Sequence, residues 1–301
     1  MIKHLITLTW LFSLMLATAV RAEIKLDDFL AGAEGEFALR FFHYTEASHT
    51  EPHRRKWEAM LKLNFTGELF AREESPAINF TLKPVLRADS VGQTSHVLDE
   101  KTERHSEYYA LNLDEAFITI SGEASDWNIG KQIFSWGMAD AYNPTDNLNP
   151  LVLIDIPDRT KIGVPALSWS HDAERFSLDM AVMPWFTPAR LPGSDNRWRG
   201  DFDRAAIFPG IPVMTSEREL PGDEIKNLQW AVQVRTSELM PGWDWALNFF
   251  DGIDPAGVLR ADPTPYNILL TQVYPDFREF GFSFSTLWGR TLNCTAKRVF
   301  M

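Results

Sequence analysis

The sequence holds a single cysteine, Cys294. No internal disulfide can form, so burial and backbone pairing must hold the fold together. Surplus positive charge is also missing. With 29 Lys and Arg against 41 Asp and Glu, the net charge is −12, and this argues against a nucleic-acid partner. No G-x-S-x-G occurs, so a nucleophile-elbow hydrolase lacks its signature. Regular D-x-D-x-D-G spacing is absent as well, which removes the common calcium-loop pattern. The one long apolar run is Leu5 to Ala19. No later segment approaches the ~20 apolar residues of a spanning helix.

That early run sits in a targeting pattern. Lys3 and His4 precede it, and Val20-Arg21-Ala22 follows with small residues at cleavage-type positions. Residues 1–22 are therefore expected to be a secretory signal peptide, cut at Ala22/Glu23 or after Ala19. Loss of Lys3 and Arg21 would take the charge from −12 to −14. Residues 23–34 are expected to form a periplasmic N-terminal segment.

What the rest has in quantity is period-two alternation. Trp57, Ala59, Leu61, Leu63 and Phe65 alternate with Glu58, Met60, Lys62, Asn64 and Thr66. The same beat runs through Ile78–Leu86, Phe176–Val182, Leu228–Val234, Trp243–Phe249 and Phe280–Phe284. A helix would space its apolar residues three and four apart. Weaker strands are expected near 35–44, 107–120, 126–135, 165–172 and 265–275. In 107–120 the apolar phase slips around Asp114, which a β-bulge explains. Lys131 falls on the apolar face of its strand and must snorkel to a polar edge.

These eleven strands leave connections at 45–56, 70–76, 89–106, 121–125, 136–164, 173–174, 187–226, 238–242, 251–264 and 276–277. Long and short connections alternate without exception. This is the form of an up-and-down outer-membrane barrel, with short periplasmic turns and long outer loops. The expected fold is thus an all-β, transmembrane, antiparallel up-and-down β-barrel over 35–288, with an irregular tail at 289–301. Eleven strands and a tail that fails to alternate suggest an incomplete barrel, since single-chain bacterial barrels have even strand numbers. A soluble secreted β-sandwich also yields alternation and stays open as an alternative. Of the 11 Trp and 21 Phe, many sit at stripe ends, where interfacial girdles belong.

One stretch carries a resemblance. Residues 127–150 read WNIGKQIFSWGMADAYNPTDNLNP, and 183–192 read MPWFTPARLP. They resemble a poorly characterised group of Gram-negative outer-membrane β-barrels related to alginate-export and porin-like barrels. The shared pattern is a strand ending G-K/R-Q-x-x-x-W-G, an Asn-Pro/Asp loop, then P-x-x-x-P-x-R-L-P. Here these are Gly130, Lys131, Gln132, Trp136, Gly137, Asn143, Pro144 and Asp146, then Pro184, Pro188, Arg190, Leu191 and Pro192. The resemblance covers residues 125–195 and implies outer-membrane lipid and the barrel-assembly machinery as partners.

Candidate function follows from the two faces. The inward face would carry the pore-lining residues Arg40, Glu58, Lys62, Lys83, Arg87, Asp114, Asp179, Gln229, Arg235 and Asp244. Neither sign dominates among them, so no strong charge filter is expected. The connection 136–164 surrounds the apolar stretch Leu151–Ile156 with Asp140, Asn143, Asp146, Asp155, Asp158 and Arg159. Exposed apolar stretches are costly, so this loop is expected to fold inward as a constriction, or to pack over the rim. Loop 187–226 would cap the mouth or stay irregular. His49 and His53 with Glu46 and Glu51 read as a solvated loop cluster rather than a metal site. His171 and Ser170 are adjacent on a strand and point to opposite faces, so they do not make a dyad. The sequence thus predicts a non-enzymatic porin-like or export channel for small polar solutes, with no cofactor. A plugged structural or receptor barrel is the alternative.

Overall fold

The computed structural model describes residues 33–45, 53–72, 75–92, 94–97, 108–137, 143, 145–155, 159–193, 196–199, 210–222, 225–240, 243–288 and 292–300. The expected signal peptide, His49, and loop residues Asp140, Pro144 and Asp158 lie outside them. In chain order the strands are β1 (Ala33–His43), β2 (Arg55–Arg72), β3 (Ser75–Asp89), β4 (Thr94–Val97), β5 (Tyr108–Ser121), β6 (Ser125–Gln132), β7 (Leu151–Val152), β8 (Thr160–Lys161), β9 (Val164–Asp172), β10 (Phe176–Met183), β11 (Val213–Thr215), β12 (Gln229–Met240), β13 (Trp243–Ile253), β14 (Val258–Pro263), β15 (Ile268–Val273), β16 (Asp276–Trp288) and β17 (Leu292–Phe300). No described helix is long and apolar enough to cross a membrane.

One antiparallel meander dominates, in the order β1-β2-β3-β5-β6-β9-β10-β12-β13-β16-β17. β4 adds to β5 in parallel. Among the described residues β1 and β17 are the edges of this sheet and do not pair with each other. Its long connections are 44–54, 90–107, 133–163, 184–228 and 254–275, and its short ones 73–74, 122–124, 173–175, 241–242 and 289–291. All long connections therefore emerge at one rim and all short ones at the other. Among the described residues no second sheet layers over its apolar face, which leaves Phe37, Leu39, Phe41, Ile129, Leu247 and Phe280 exposed.

The register explains that face. Phe41 pairs with Trp57, Ile118 with Ile129, Ile129 with Leu167, Val182 with Trp230, and Phe249 with Phe280. Every strand contributes alternate residues to the same side, so the stripes merge into one apolar surface. Aromatics mark its margins. Toward the long-loop rim stand Phe41, Trp57, Trp230 and Phe249, with the last two rings 4.7 Å apart. Toward the short-turn rim, Trp127 lies 6.1 Å from Trp169, and Trp243, Trp245 and Phe284 stack together.

The bulge expected near Asp114 is present. β3 and β5 slip between Lys83↔Glu115 and Pro84↔Leu113, leaving Asp114 as the extra residue. Proline has no N–H for the ladder, so Pro84 is tolerated in a central strand because the ladder is already broken there.

Three expectations are corrected. The strand expected at 265–275 is β15, and it is not part of the meander. It pairs with β14 antiparallel and β11 in parallel, in a small sheet built from two long connections. Ile268, Leu269 and Leu270 are contiguous apolar residues rather than an alternation, which fits a strand packed within a loop cluster. The tail 289–301, expected to be irregular, contains β17, paired with β16 from Phe280↔Phe300 to Trp288↔Leu292. Leu292, Cys294, Ala296 and Phe300 do alternate; Arg298 alone interrupts the beat and hid it. The count of eleven meander strands survives because one strand leaves and another enters. Finally, the connection expected at 89–106 carries β4.

Candidate functional site

The polar side of the meander forms a wall, and the connection 133–163 lies against it. The expected inward residues all fall on this side or at its bulge. Arg40 faces Glu58 across β1 and β2, 3.2 Å apart. Lys62 sits between Glu36 and Val85. Lys83 bonds Glu115 on β5. The Arg87 guanidinium lies 4.7 Å above the Tyr108 ring. Asn112 donates to Asp114 at the bulge, at 2.5 Å. Arg235 donates to Asp179 at 2.9 Å. The Gln229 side-chain oxygen accepts from the Ile253 N–H. Asp244 pairs with Ser285 near the short-turn rim, apart from the loop.

The loop reaches this wall at both ends of the sheet. Asp155 lies 3.7 Å from Lys56 on β2, and Asn147 donates to Glu279 on β16 at 2.7 Å. Inward residues are buried from Lys56 on β2 through Val85, Ala181 and Gln233 to Ser283 on β16, while Trp57, Leu247 and Phe280 on the other side stay exposed, so the sheet curves around the loop with its polar side concave. The loop lies against the polar side of the sheet.

Two apolar clusters seat it. Phe134, Trp136 and Leu148 of the loop pack with Val164, Ala166, Ala181, Met183, Ala231 and Phe250 of the wall. Val152, Ile154 and Ile162 pack on Tyr108, and Ile154 is fully buried. The stretch that looked costly on an exposed loop is thus covered, worth about 1.5–3 kcal/mol per large side chain buried. Several wall positions facing the loop are small, among them Ala166, Ala181 and Ala231. Gly281 is the clearest case: a Cβ there would collide with the Thr145 side chain.

Buried polar groups inside the loop are paired with care. The Asn149 side-chain oxygen accepts from the Phe134 N–H at 2.6 Å, and its amide donates to the Gln132 and Ile162 carbonyls. Asp146 accepts from the Trp136 N–H, and Lys161 bonds both Asp146 and the Phe134 carbonyl. Asn143 donates to the Trp136 carbonyl, closing a turn at Gly137, whose φ of 101° favours glycine. Arg159 is exposed on the hairpin arm next to β8.

Below the loop, toward the short-turn rim, lies a cleft of about 320 Å³. Glu115, Asn128, Ser168, Asp179 and Arg235 line its wall, and residues 133–136 roof it. Several of these groups were not anticipated. Glu115 was hidden by the phase slip of the bulge, and Lys56 by its assignment to a connection. Gln132, which accepts from Ser168 at 2.6 Å, and the Gln233–Asn248 pair lie on the inward phase of their strands, a signal available to the sequence.

The structure also pairs His171, with Ser125 rather than Ser170. Ser125 Oγ and His171 Nδ1 share a 2.8 Å hydrogen bond across β6 and β9, and the imidazole stacks on Trp169. Among the described residues no carboxylate bonds this imidazole, so nothing orients it as a base. No group of three or more His, Cys, Asp or Glu that could hold a metal ion occurs among the described residues.

No family model matches the sequence, and no curated protein matches it either. The crystal structure of OccAB4 from Acinetobacter baumannii is similar over 89% of this chain and 62% of that chain. Identity is 8% and the TM-score 0.41. This chain therefore spans less than two thirds of OccAB4, and no residue or activity is carried across from it.

On the long-loop side, connections 184–228 and 254–275 form a cap, joined to the inner loop where Arg190 bonds Leu151 and Leu153. β11, β15 and β14 make its sheet, and Arg260 holds Glu219 through two hydrogen bonds of 3.0 and 2.7 Å. The Arg260 hydrogen bonds hold the Glu219 carboxyl below the usual range.

Proposed function

We propose that the protein is an outer-membrane β-barrel that passes small polar solutes by diffusion, narrowed by the loop 133–163. The observation that carries this reading is the pairing of two opposite surfaces on one curved meander. The apolar side is exposed and edged by aromatics, as a lipid-facing band would be. The concave side is polar and holds a loop and a cleft. Lengths agree: β1 and β13 have 11 residues each, and a tilted spanning strand needs about 9–11. In this reading the long connections face outside and the short turns face the periplasm, reached through the N-terminal export signal. Lipid and the barrel-assembly machinery are its partners, and neither cofactor nor catalytic step is involved.

Outer-membrane fractionation together with heat-modifiable migration on a detergent gel tests the barrel. A protein found soluble in the periplasm, with migration unchanged by heating, overturns it. Planar-bilayer conductance tests the channel, and deletion of 141–158 tests the loop. Conductance should rise in the deletion; an unchanged value removes the constriction.

A plugged structural or receptor barrel is the second reading. The anchoring of the loop from β2 to β16 favours it. Silence in the full chain with current in the deletion would select the plug.

A further inference from the structure

Charge on the concave wall looks balanced when residues are counted, but it is not balanced in depth. Of the ion pairs on the wall at or below the level of the loop, three share one geometry; in the fourth, Lys56–Glu58, the cation is buried beneath the loop. In Arg40–Glu58 the cation's side chain is 35% exposed and the anion's 12%. In Lys83–Glu115 the values are 40% and 12%, and in Arg235–Asp179 they are 49% and 17%. In these three, each carboxylate is sunk toward the backbone, and each cation projects past it. Chain length is one cause: Lys and Arg have longer stems than Asp and Glu. Local bonding is another, since Glu115 also accepts the Ile133 N–H at the root of the loop. The bulge adds to the same sign, with Arg87 and Lys62 acting on the single carboxylate of Asp114. Exposed carboxylates on this face, Glu34, Glu36 and Glu68, gather at the short-turn rim instead.

A buried anion paired with a projecting cation is a dipole whose positive end faces the water. Selectivity is set where the path is narrowest and the walls are of low dielectric, because field lines concentrate there. In the channel reading that level is the cleft beneath the loop, where Arg235 lines the wall and Lys83 bonds Glu115 in it.

We propose that the pore prefers small anions, and that the projecting ends of Lys83 and Arg235 form its charge filter. This rests on the channel reading above and names the class of solute that would pass. Long-stemmed cations would draw a carboxylate or inorganic anion through while the sunken partners hold those cations in place.

The test is the reversal potential of the purified full chain in planar bilayers under a KCl gradient. Chloride should permeate more readily than potassium. The Lys83→Gln/Arg235→Gln pair uncovers Glu115 and Asp179 and should lower the chloride-to-potassium ratio at least about twofold, whereas Lys83→Arg should leave it unchanged. Arg235→Gln alone, should the double variant fail to insert, should shift the ratio in the same direction. Current with a wild-type ratio of one or below, or a ratio unmoved by Arg235→Gln, overturns the anion filter and leaves the channel reading standing. Inserted protein that passes no current overturns both.

Discussion

Three long connections of this protein leave the same rim and meet two different fates. The loop 133–163 turns inward and is held by two apolar clusters, a buried asparagine and contacts on β2 and β16. The cap made from 184–228 and 254–275 is rooted at buried Ala189 and Arg190, which bond Pro255 and the inner loop, but its outer part stays exposed and is joined by the Arg260–Glu219 clamp. Composition alone does not separate them, since both contain acids, prolines and apolar residues. The difference is in what the apolar residues find. Those of the inner loop meet Ala, Gly and aromatic positions on a wall. Several of the cap's, including Ile225, Tyr266 and Leu259, remain exposed. Burial rather than length therefore makes one connection part of the core.

The comparison can be broken most forcefully at Trp136. Trp136→Ala should cost about 3–5 kcal/mol, as for other large buried aromatics, and lower the temperature at which the folded band disappears from a gel. Should the loop be only a rim ornament, that temperature would not move.

Asn149→Leu comes next. It leaves the Phe134 N–H and the Gln132 and Ile162 carbonyls without their partner, and each orphaned buried group costs about 1–3 kcal/mol. Some will find water, so the loss should fall below that of Trp136→Ala, with faster proteolysis within 137–160 as the readout.

Gly281→Val probes the wall rather than the loop. Overpacking against Thr145 should cost about 1–3 kcal/mol, and conductance should rise as the loop is displaced. A variant of normal stability and conductance would place Thr145 elsewhere.

The smallest effect belongs to the cap. Arg260→Ala should leave the folded band unchanged and only hasten cleavage within 210–222. Acid should act alike. Glu219 has a lowered pKa, so its contribution is present above the ordinary carboxylate range and is lost as pH falls through the lowered value. Cleavage of the cap should therefore accelerate only in strong acid.

The meander was legible because alternation is a direct image of a sheet with unlike faces. Trp57 to Phe65 and Phe280 to Phe284 could be read by eye. The bulge could be read too, from the slip at Asp114. β15 and β17 could not, for opposite reasons. The first is apolar but belongs to a loop cluster, and the second alternates but carries Arg298 on the apolar beat. The inward fold of 133–163 was half legible. Leu151–Ile156 signalled burial, yet nothing local could reveal that Asp155 would meet Lys56 or Asn147 meet Glu279, because those partners lie far away along the chain. The depth of each wall charge was illegible in principle, since sequence counts charges and says nothing of how deep each one sits.

The small residues of the wall carry a consequence for descent. Ala166, Ala181, Ala231 and Gly281 face the loop, and strand propensity alone would not choose them. They have the shape of a mould whose cast is Trp136, Leu148 and Thr145. In relatives of this protein, an enlarged residue at Ala181 should travel with a trimmed one at Trp136 or Leu148, since either change alone leaves a clash or a void. Lineages that lost the loop should show the mould filled, with bulky residues returning to all four positions.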